Sequence, residues 1–335
     1  MSAAQDARTA GGGALAAVFE AAGASLTERL GRTEQRLAEV AGAHGAALAE
    51  HARATLEAGG KRLRPTLVFV CAGEADSQDL LRAAVAVELL HMATLVHDDV
   101  LDRAPLRRGR PTVFEAGGRA AATATGDLLF SRAFAELALT ASGEAVAVLS
   151  SASSALARGE LVQRADAWSP DVTLERYLER CELKTARLFV AACRLGALLG
   201  GPGEHGADAL ASFGRGVGIA FQIFDDVLDV SGPTARTGKP RGADLLDGTV
   251  TLPLILARER DPRLRALDLR TDVPGAAAAE ELCDRIMATG ALEDARERAL
   301  LHVGDAKRSL ARLELTTRQY ATLELVADGV VERYA

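Results

Sequence analysis

The segment from Asp79 to Leu101, which reads DLLRAAVAVELLHMATLVHDDVL, constrains the fold of this chain more than any other stretch. A helix with this sequence is apolar on nearly every side, and such a helix is buried in the core of a large domain. The overall composition also favours helices, because 48% of the residues are hydrophobic but only 4% are aromatic. We therefore predict an all-α fold built around this segment.

Helical patterns cover most of the remaining sequence. They extend from Ala14 to Glu57 with a break at 41–45, and over 120–140, 143–167, 173–200 and 206–230, with one long loop at 231–248. No change in composition divides the chain after residue 14, so we predict a single large helical bundle over 13–335, preceded by a disordered tail over 1–12.

Charge and cysteine content exclude several classes of protein. The formal net charge of −7 argues against a nucleic-acid-binding protein, which normally presents a basic surface. The four cysteines form no CxxC pair and lie in apolar helical patterns, so we expect buried free thiols and a cytoplasmic location. The first residues lack the pattern of a signal peptide, and we expect no transmembrane segment.

The end of the central segment carries a cluster of carboxylates. His91, Asp98 and Asp102 share one helical face, because residues at spacings of four and seven lie one above another. Since buried unpaired carboxylates are unfavourable, either this face meets solvent or cations occupy it. The following loop, RAPLRRGRP, adds Arg107 and Arg108, and arginine pairs well with phosphate. Carboxylates and arginines this close together could neutralise each other, or they could form a site for Mg²⁺ and phosphate.

The letters DDVLD occur a second time, from Asp225 to Asp229. Gln222, Asp225 and Asp229 again share a helical face, with Asp226 beside them, and the loop that follows contains Lys239 among glycines. Two such clusters, each followed by a basic loop, indicate the two walls of one diphosphate site with several Mg²⁺ ions. An alternative is the His-Asp dipeptide of metal-dependent phosphohydrolases at His97, but His97 lies one position off the carboxylate face.

In these motifs the chain resembles the trans-type isoprenyl diphosphate synthases, or polyprenyl synthetases, over 14–335. The matching stretches are GGKRLRP at 59–65, ELLHMATLVHDDVLDRAPLRRGRPT at 88–112, GD at 126–127, KTA at 184–186 and GKPRGADL at 238–245. The resemblance implies an isoprenoid-synthase bundle with a central active-site cavity, and a homodimer. It also implies about three Mg²⁺ ions, with isopentenyl diphosphate and an allylic diphosphate as substrates.

The resemblance also assigns roles to individual residues. Direct Mg²⁺ ligands are Asp98, Asp102 and Asp225, whereas ligands acting through water or neighbouring cations are Asp99, Asp226, Asp229 and Asp244. The diphosphate of isopentenyl diphosphate is held by Lys61, Arg64, His91 and Arg108, and the allylic diphosphate by Arg107, Lys184 and Lys239. The reacting carbons are lined by Thr185 and Gln222, and the cavity is faced by Glu160 and Gln163.

The implied reaction needs no protein nucleophile. The allylic diphosphate departs to leave an allylic cation, the double bond of isopentenyl diphosphate attacks it, and a proton passes to the released diphosphate. Related enzymes compete as alternatives. A class I terpene cyclase shares the fold and the first aspartate motif, and a non-catalytic subunit of a two-component synthase shares the family, but such subunits tend to lose an aspartate motif.

Product length is implied by the residues one turn below the first aspartates, about 6–7.5 Å along the helix. These residues are Ala93 and Thr94, and neither is the aromatic residue that blocks the tunnel in short-chain relatives. We therefore predict a product longer than farnesyl, in the geranylgeranyl to nonaprenyl range, with Phe130 or Phe134 as the candidate floor. Thr249 stands where many relatives have lysine, which predicts altered substrate affinity.

Overall fold

The computed structural model describes residues 12–200, 203–232 and 240–332. The first helices are α1 Gly12–Ala22, α2 Ala24–Gly42, α3 Ala46–Glu57, α4 Leu63–Ala72, α5 Gln78–Leu101, α6 Val113–Ala138, α7 Gly143–Asp166 and α8 Leu174–Cys181. A π-helical turn, Glu182–Ala186, leads into α9 Arg187–Gly200 and α10 Gly203–Ser231. The remaining helices are α11 Ala243–Leu246, α12 Leu252–Arg260, α13 Pro262–Arg265, α14 Leu269–Asp272, α15 Ala276–Ala288, α16 Ala291–Leu310 and α17 Thr317–Glu332.

The all-α prediction is confirmed, and α5 is the central helix. It packs against α6, α4, α9 and α2, and its residues from Leu80 to Val96 are almost all buried. Among the described residues it is also the one helix long and apolar enough to cross a membrane, but 72% of its most apolar window is covered by other helices. The core therefore accounts for its apolar surface.

The second DDVLD cluster lies on α10, which packs against α9, the π-helical turn and α16. Small residues allow these close approaches. A Cβ added to Gly218 of α10 would lie 2.6 Å from the Cα of Ala186, and one added to Gly216 would lie 2.7 Å from the carbonyl oxygen of His302. Glycine at these positions therefore lets α10 pack directly against both neighbours.

Several predicted boundaries differ from the structure. The helix predicted over 173–200 is divided by the π-helical turn, and the helix predicted from residue 120 begins at Val113, with a kink at Gly118 where φ is 73°. The predicted loop over 231–248 contains the short helix α11. The predicted tail over 1–12 lies outside the described residues apart from Gly12, where α1 begins. All four cysteines are free and buried, as predicted.

Candidate functional site

The first carboxylate cluster lies at the carboxyl end of α5. Asp99 is buried and accepts a hydrogen bond of 2.8 Å from Nε of Arg107, whereas Asp102 caps the helix and is partly exposed. Asp98, one residue before Asp99, is half-buried. Burial, together with the negative charges of Glu160 and Asp102, raises the pKa of Asp98 to about 6, although Lys184 and Arg107 oppose the shift. Loss of hydration is the main cause of this shift, so a further cation beside Asp98 would stabilise its ionised form.

A short hairpin presents the arginines that follow this cluster. Strands β1, Leu106–Arg107, and β2, Arg110–Pro111, pair antiparallel with Arg107 opposite Arg110. The two residues between the strands, Arg108 and Gly109, both have positive φ, 53° and 74°. This is the backbone conformation of the tightest hairpin turns, so the basic loop predicted here has a defined geometry.

The opposite wall of the first cluster is formed by α7 and the π-helical turn. Nζ of Lys184 lies 2.5 Å from Oε2 of Glu160, and Nε of Arg164 donates to Oε1 of the same carboxylate at 2.9 Å. Nη2 of Arg164 also donates to Oδ1 of Asp102 at 2.6 Å. A chain of alternating charges therefore connects the end of α5 to the π-helical turn.

The π-helical turn determines where Lys184 and Thr185 lie. A Cβ added to Gly159 of α7 would lie 2.7 Å from the backbone nitrogen of Lys184, so only glycine lets the two backbones approach this closely. Such turns recur at functional sites because the extra residue redirects the side chains beside it. The sequence pattern over 173–200 gave no indication of this turn.

The second carboxylate cluster is organised around Asp226. Its Oδ2 accepts a hydrogen bond of 2.6 Å from the hydroxyl of Tyr177, and its Oδ1 accepts one of 2.8 Å from Nε2 of Gln222. The hydroxyl of Thr185 donates to Oε1 of Gln222 at 2.6 Å. Burial and the nearby charge of Asp244 raise the pKa of Asp226. The carboxylate is therefore held in one orientation.

The other aspartates of the second cluster lie nearer the surface. Asp225 is exposed on α10, one residue before the buried Asp226. Oδ2 of Asp229 accepts a 3.3 Å hydrogen bond from the backbone N–H of Asp244, and its carbonyl accepts one of 2.9 Å from Gly242. Asp229 therefore links α10 to α11 and holds Asp244 beside the cluster.

A group of cationic side chains surrounds His91. Burial is the largest cause that lowers the pKa of His91, followed by the positive charges of Arg64, Arg108, Arg107 and Arg62. A pocket beside it is lined in part by Gly59, Asp99, Arg107 and Arg108. Three of the predicted phosphate-binding residues, His91, Arg107 and Arg108, therefore lie at one pocket, where an anion would be stabilised.

Arg62, which the motif analysis did not single out, supports this cationic group. It is buried with a left-handed backbone at φ 47°, pairs with Glu34, and donates to Oε1 of Glu88 at 2.9 Å. Nη1 of Arg62 and Nη1 of Arg108 would lie 2.9 and 3.0 Å from a Cβ on Gly60. Glycine at 60 therefore leaves room for both guanidinium groups.

The remaining predicted residues lie at several places around the two clusters. Lys61 is exposed before α4, and the guanidinium of Arg64 lies 4.8 Å from the ring centre of Phe189. Gln163 is half-buried on α7. Lys239 lies outside the described residues. The backbone N–H of Thr249 donates to the carbonyl of Asp244 at 2.8 Å.

The alternative built on His97 loses its basis in the structure. Nε2 of His97 lies 3.3 Å from Oδ1 of Asp127 on α6, and a Cβ added to Gly126 would lie 2.3 Å from that nitrogen. His97 therefore packs closely against α6, where Gly126 makes room for its ring. The phosphohydrolase interpretation, which requires several His and Asp ligands around it, is not supported.

The aspartates suit a hard cation such as Mg²⁺. Within the described ranges, no group of three or more His, Cys, Asp and Glu side chains is close enough to hold an ion by itself. Mg²⁺ requires less, because it is usually bound by one or two carboxylates together with waters and substrate phosphates. The carboxylate oxygens of Asp98, Asp102 and Asp225 fit such a partly assembled site, and Asp98 is a partly buried carboxylate whose ionised form a cation would stabilise.

Comparisons with known proteins agree with this geometry. The sequence model of the family described as polyprenyl synthetase matches residues 46–283. Component 2 of heptaprenyl diphosphate synthase from Geobacillus stearothermophilus is 41% identical over 289 residues, covering 84% of this chain and 90% of the relative. Geranylgeranyl diphosphate synthase from Methanosarcina mazei is 37% identical over 292 residues, covering 84% and 88%.

A solved structure shows the same fold. The polyprenyl synthase from Caulobacter crescentus CB15, complexed with calcium and isoprenyl diphosphate, superposes with a TM-score of 0.87 at 34% identity. The superposition covers 97% of this chain and 99% of that one. The chain therefore belongs to the polyprenyl synthetase family.

Proposed function

We propose that this protein is a Mg²⁺-dependent prenyltransferase that condenses isopentenyl diphosphate head to tail with an allylic diphosphate, to give a polyprenyl diphosphate and diphosphate. One observation carries the proposal. Two consecutive residues of the π-helical turn connect the two aspartate clusters, because the charge of Lys184 acts on Asp98 and Thr185 bonds to Gln222, the partner of Asp226. The two DDVLD motifs therefore serve one site.

The carboxylates of Asp98, Asp102 and Asp225 would hold the cations, with Asp99, Asp226, Asp229 and Asp244 behind them. When bound, Mg²⁺ would stabilise the negative charge that develops on the departing diphosphate. Support for a divalent cation comes from the Caulobacter relative, whose structure contains calcium together with isoprenyl diphosphate.

The cationic side chains of this protein would bind and orient the two substrates. We assign Lys184 and Arg107 to the allylic diphosphate, because both lie beside the first aspartates. We assign His91, Arg64 and Arg108, with Lys61, to isopentenyl diphosphate. His91 is neutral in this cationic surrounding, so its imidazole can donate a hydrogen bond to phosphate without adding to the repulsion among the arginines.

The polar residues Thr185 and Gln222 would face the reacting carbons. Their mutual hydrogen bond holds the side chain of Gln222, whose Oε1 is the acceptor. A carbonyl oxygen directed at the allylic group would favour positive charge there without forming a covalent bond. The protein therefore needs no nucleophile of its own, and the remaining task of these residues is to keep water away from the cation.

We propose a product of more than three isoprene units. Ala93 is completely buried one turn below Asp98, and the hydroxyl of Thr94 donates to the carbonyl of His91 at 2.7 Å. Neither side chain is large, so we propose that a growing chain can extend past them beneath the aspartates. Relatives of this chain are named for heptaprenyl and geranylgeranyl products, which lie within the proposed range.

The two candidates for the floor of the proposed tunnel, Phe130 and Phe134, pack against each other. The ring centres of Phe130 and Phe134 lie 5.2 Å apart, and Phe130 is 38% exposed. We propose Phe134, the more buried ring, as the residue that limits elongation. A cytoplasmic location, proposed from the free cysteines, and a homodimer, proposed from the family resemblance, complete the proposal.

The proposal is tested by incubating the pure protein with Mg²⁺, isopentenyl diphosphate and, separately, dimethylallyl, geranyl or farnesyl diphosphate. Mass spectrometry of the extracted products should show linear polyprenyl diphosphates longer than the farnesyl product. A cyclised hydrocarbon would support a terpene cyclase instead, and elongation of no primer would support a non-catalytic subunit. Reactions with EDTA in place of Mg²⁺ are the matched control.

A further inference from the structure

Arg164 forms a bridge between two walls of the site. None of the sequence motifs indicated this bridge. Its guanidinium donates to Oδ1 of Asp102 at 2.6 Å and to Oε1 of Glu160 at 2.9 Å. Asp102 is at the end of α5, whereas Glu160 and Arg164 lie one turn apart on α7. One side chain therefore connects the first aspartate cluster to the facing helix.

The guanidinium of Arg164 is bound to a carboxylate, Asp102, that is expected to bind a metal cation. Asp102 is one of the carboxylates assigned to metal, and Glu160 already accepts a hydrogen bond from Lys184 at 2.5 Å. The carboxylates of Asp98, Asp102 and Glu160 are therefore accompanied by three cationic side chains, those of Lys184, Arg107 and Arg164. Arg164 supplies the positive charge on the exposed side of this group, with 44% of its side chain accessible.

We propose that Arg164 is an internal counter-cation that occupies Asp102 until a divalent metal replaces it, and so sets the metal concentration that the enzyme requires. This inference rests on the proposed function, since it assumes that Asp102 is a metal ligand. A guanidinium and a metal ion at the same carboxylate repel each other, because both are positively charged. Metal binding at Asp102 would therefore weaken or displace the pair between Arg164 and Asp102, while the pair with Glu160 retains Arg164 at the rim of the site.

The expected effect is moderate, because the pair is partly exposed. Ion pairs of this kind contribute little, so removing the guanidinium should tighten metal binding by about two- to fivefold. Arg164→Gln removes the charge and keeps a polar side chain of similar reach. Arg164→Lys keeps the charge but has one nitrogen in place of a fork, so it should bind metal with an intermediate affinity.

Arg158 offers a matched control. It lies on the same helix, is exposed, and makes no ion pair with another described residue. Arg158→Gln therefore changes the net charge of the protein and of α7 by the same amount as Arg164→Gln, but leaves the carboxylates of the site unchanged. Any effect of long-range charge alone would appear in both variants.

The experiment is a titration of the wild type and the three variants with Mn²⁺, in the presence of the unreactive thiolo analogue of geranyl diphosphate. Free Mn²⁺ is measured by electron paramagnetic resonance, so that the readout is binding and not turnover. Thermal melting followed by circular dichroism confirms that each variant is folded. If Arg164→Gln does not fold, Arg164→Lys serves as the test variant.

We expect tighter Mn²⁺ binding for Arg164→Gln, intermediate binding for Arg164→Lys, and wild-type binding for Arg158→Gln. Unchanged or weaker binding by folded Arg164→Gln, with normal binding by the wild type, would overturn the counter-cation role. Weaker binding in particular would indicate that Arg164 contacts the diphosphate. No uptake of Mn²⁺ by the wild type would instead contradict the proposed metal site itself.

Discussion

The hydroxyl of Tyr177 donates a 2.6 Å hydrogen bond to Oδ2 of Asp226, across 49 residues of sequence. Both side chains are buried, Tyr177 completely and Asp226 to 3% exposure. Because Gln222 donates to the other oxygen, the carboxylate is held from both sides and keeps one orientation toward the site. The middle aspartate of the second motif is therefore positioned by α8 before any ligand binds.

Replacing Tyr177 with phenylalanine should lower the unfolding free energy and raise the Mg²⁺ concentration that turnover requires. The variant leaves a buried carboxylate oxygen without its donor, which costs about 1–3 kcal/mol of unfolding free energy. We also expect a higher half-saturating Mg²⁺ concentration, because the carboxylate is no longer fixed. Urea denaturation and the Mg²⁺ dependence of turnover measure the two effects. Tyr320→Phe, at a half-buried tyrosine of α17, is the control, and equal behaviour of the two variants would contradict this role.

Asp98 should make the metal-free protein less stable as the pH rises. Its pKa in the folded state is about 6, above the ordinary value of 3.8, so the folded state favours the protonated form. The stabilising contribution is complete below about pH 4 and is lost as the pH rises through about 6. Asp98→Asn, which resembles the neutral form, should be more stable than the wild type by about 1–3 kcal/mol at pH 8 in EDTA.

The difference between Asp98→Asn and the wild type should vanish near pH 4, which thermal melting across the pH range would show. Asp208→Asn is the control, because 79% of that side chain is exposed and the change should stay within about 0.5 kcal/mol. A stability gain for Asp98→Asn that is independent of pH would argue against a buried, raised-pKa carboxylate.

Gly159→Ala should displace the π-helical turn. The new methyl group would lie 2.7 Å from the backbone nitrogen of Lys184, and a backbone atom cannot move aside as a flexible side chain can. We expect a loss of about 1–3 kcal/mol in unfolding free energy, and a lower turnover number because Lys184 moves. Gly143→Ala, at the start of the same helix with open space around it, should be nearly neutral. Equal effects at both glycines would contradict the close approach.

Ala93→Phe should shorten the product. Ala93 is completely buried on α5 below the first aspartates. If the growing chain extends past this position, as we propose, a phenyl ring there would block it. Mass spectrometry of products from a farnesyl primer should show a shift toward shorter chains. Ala288→Phe, at an exposed position of α15, should leave the product distribution unchanged. An unchanged distribution for a folded Ala93→Phe variant would contradict the assignment of the tunnel.

The helical period was sufficient to place the two aspartate clusters on helices and to predict the buried α5, because both follow from local spacing. The position of Lys184 could not be predicted in the same way. It depends on the π-helical turn, which forms where Gly159 and Gly218 bring α7 and α10 against it. The roles of Tyr177 and Arg164 could not be predicted either, because their partners Asp226 and Asp102 are distant in sequence.

A single site built from both aspartate motifs is tested most directly by comparing the wild type with Asp98→Asn and Asp225→Asn in one Mg²⁺-dependent elongation assay. The product is followed by mass spectrometry with isopentenyl diphosphate and farnesyl diphosphate. If the two motifs hold the cations of a single site, the wild type elongates the primer only with Mg²⁺, and each variant, although folded, loses turnover by about a thousandfold or more. Elongation by the wild type in EDTA, or normal turnover in either folded variant, would contradict a single Mg²⁺ site formed by both motifs.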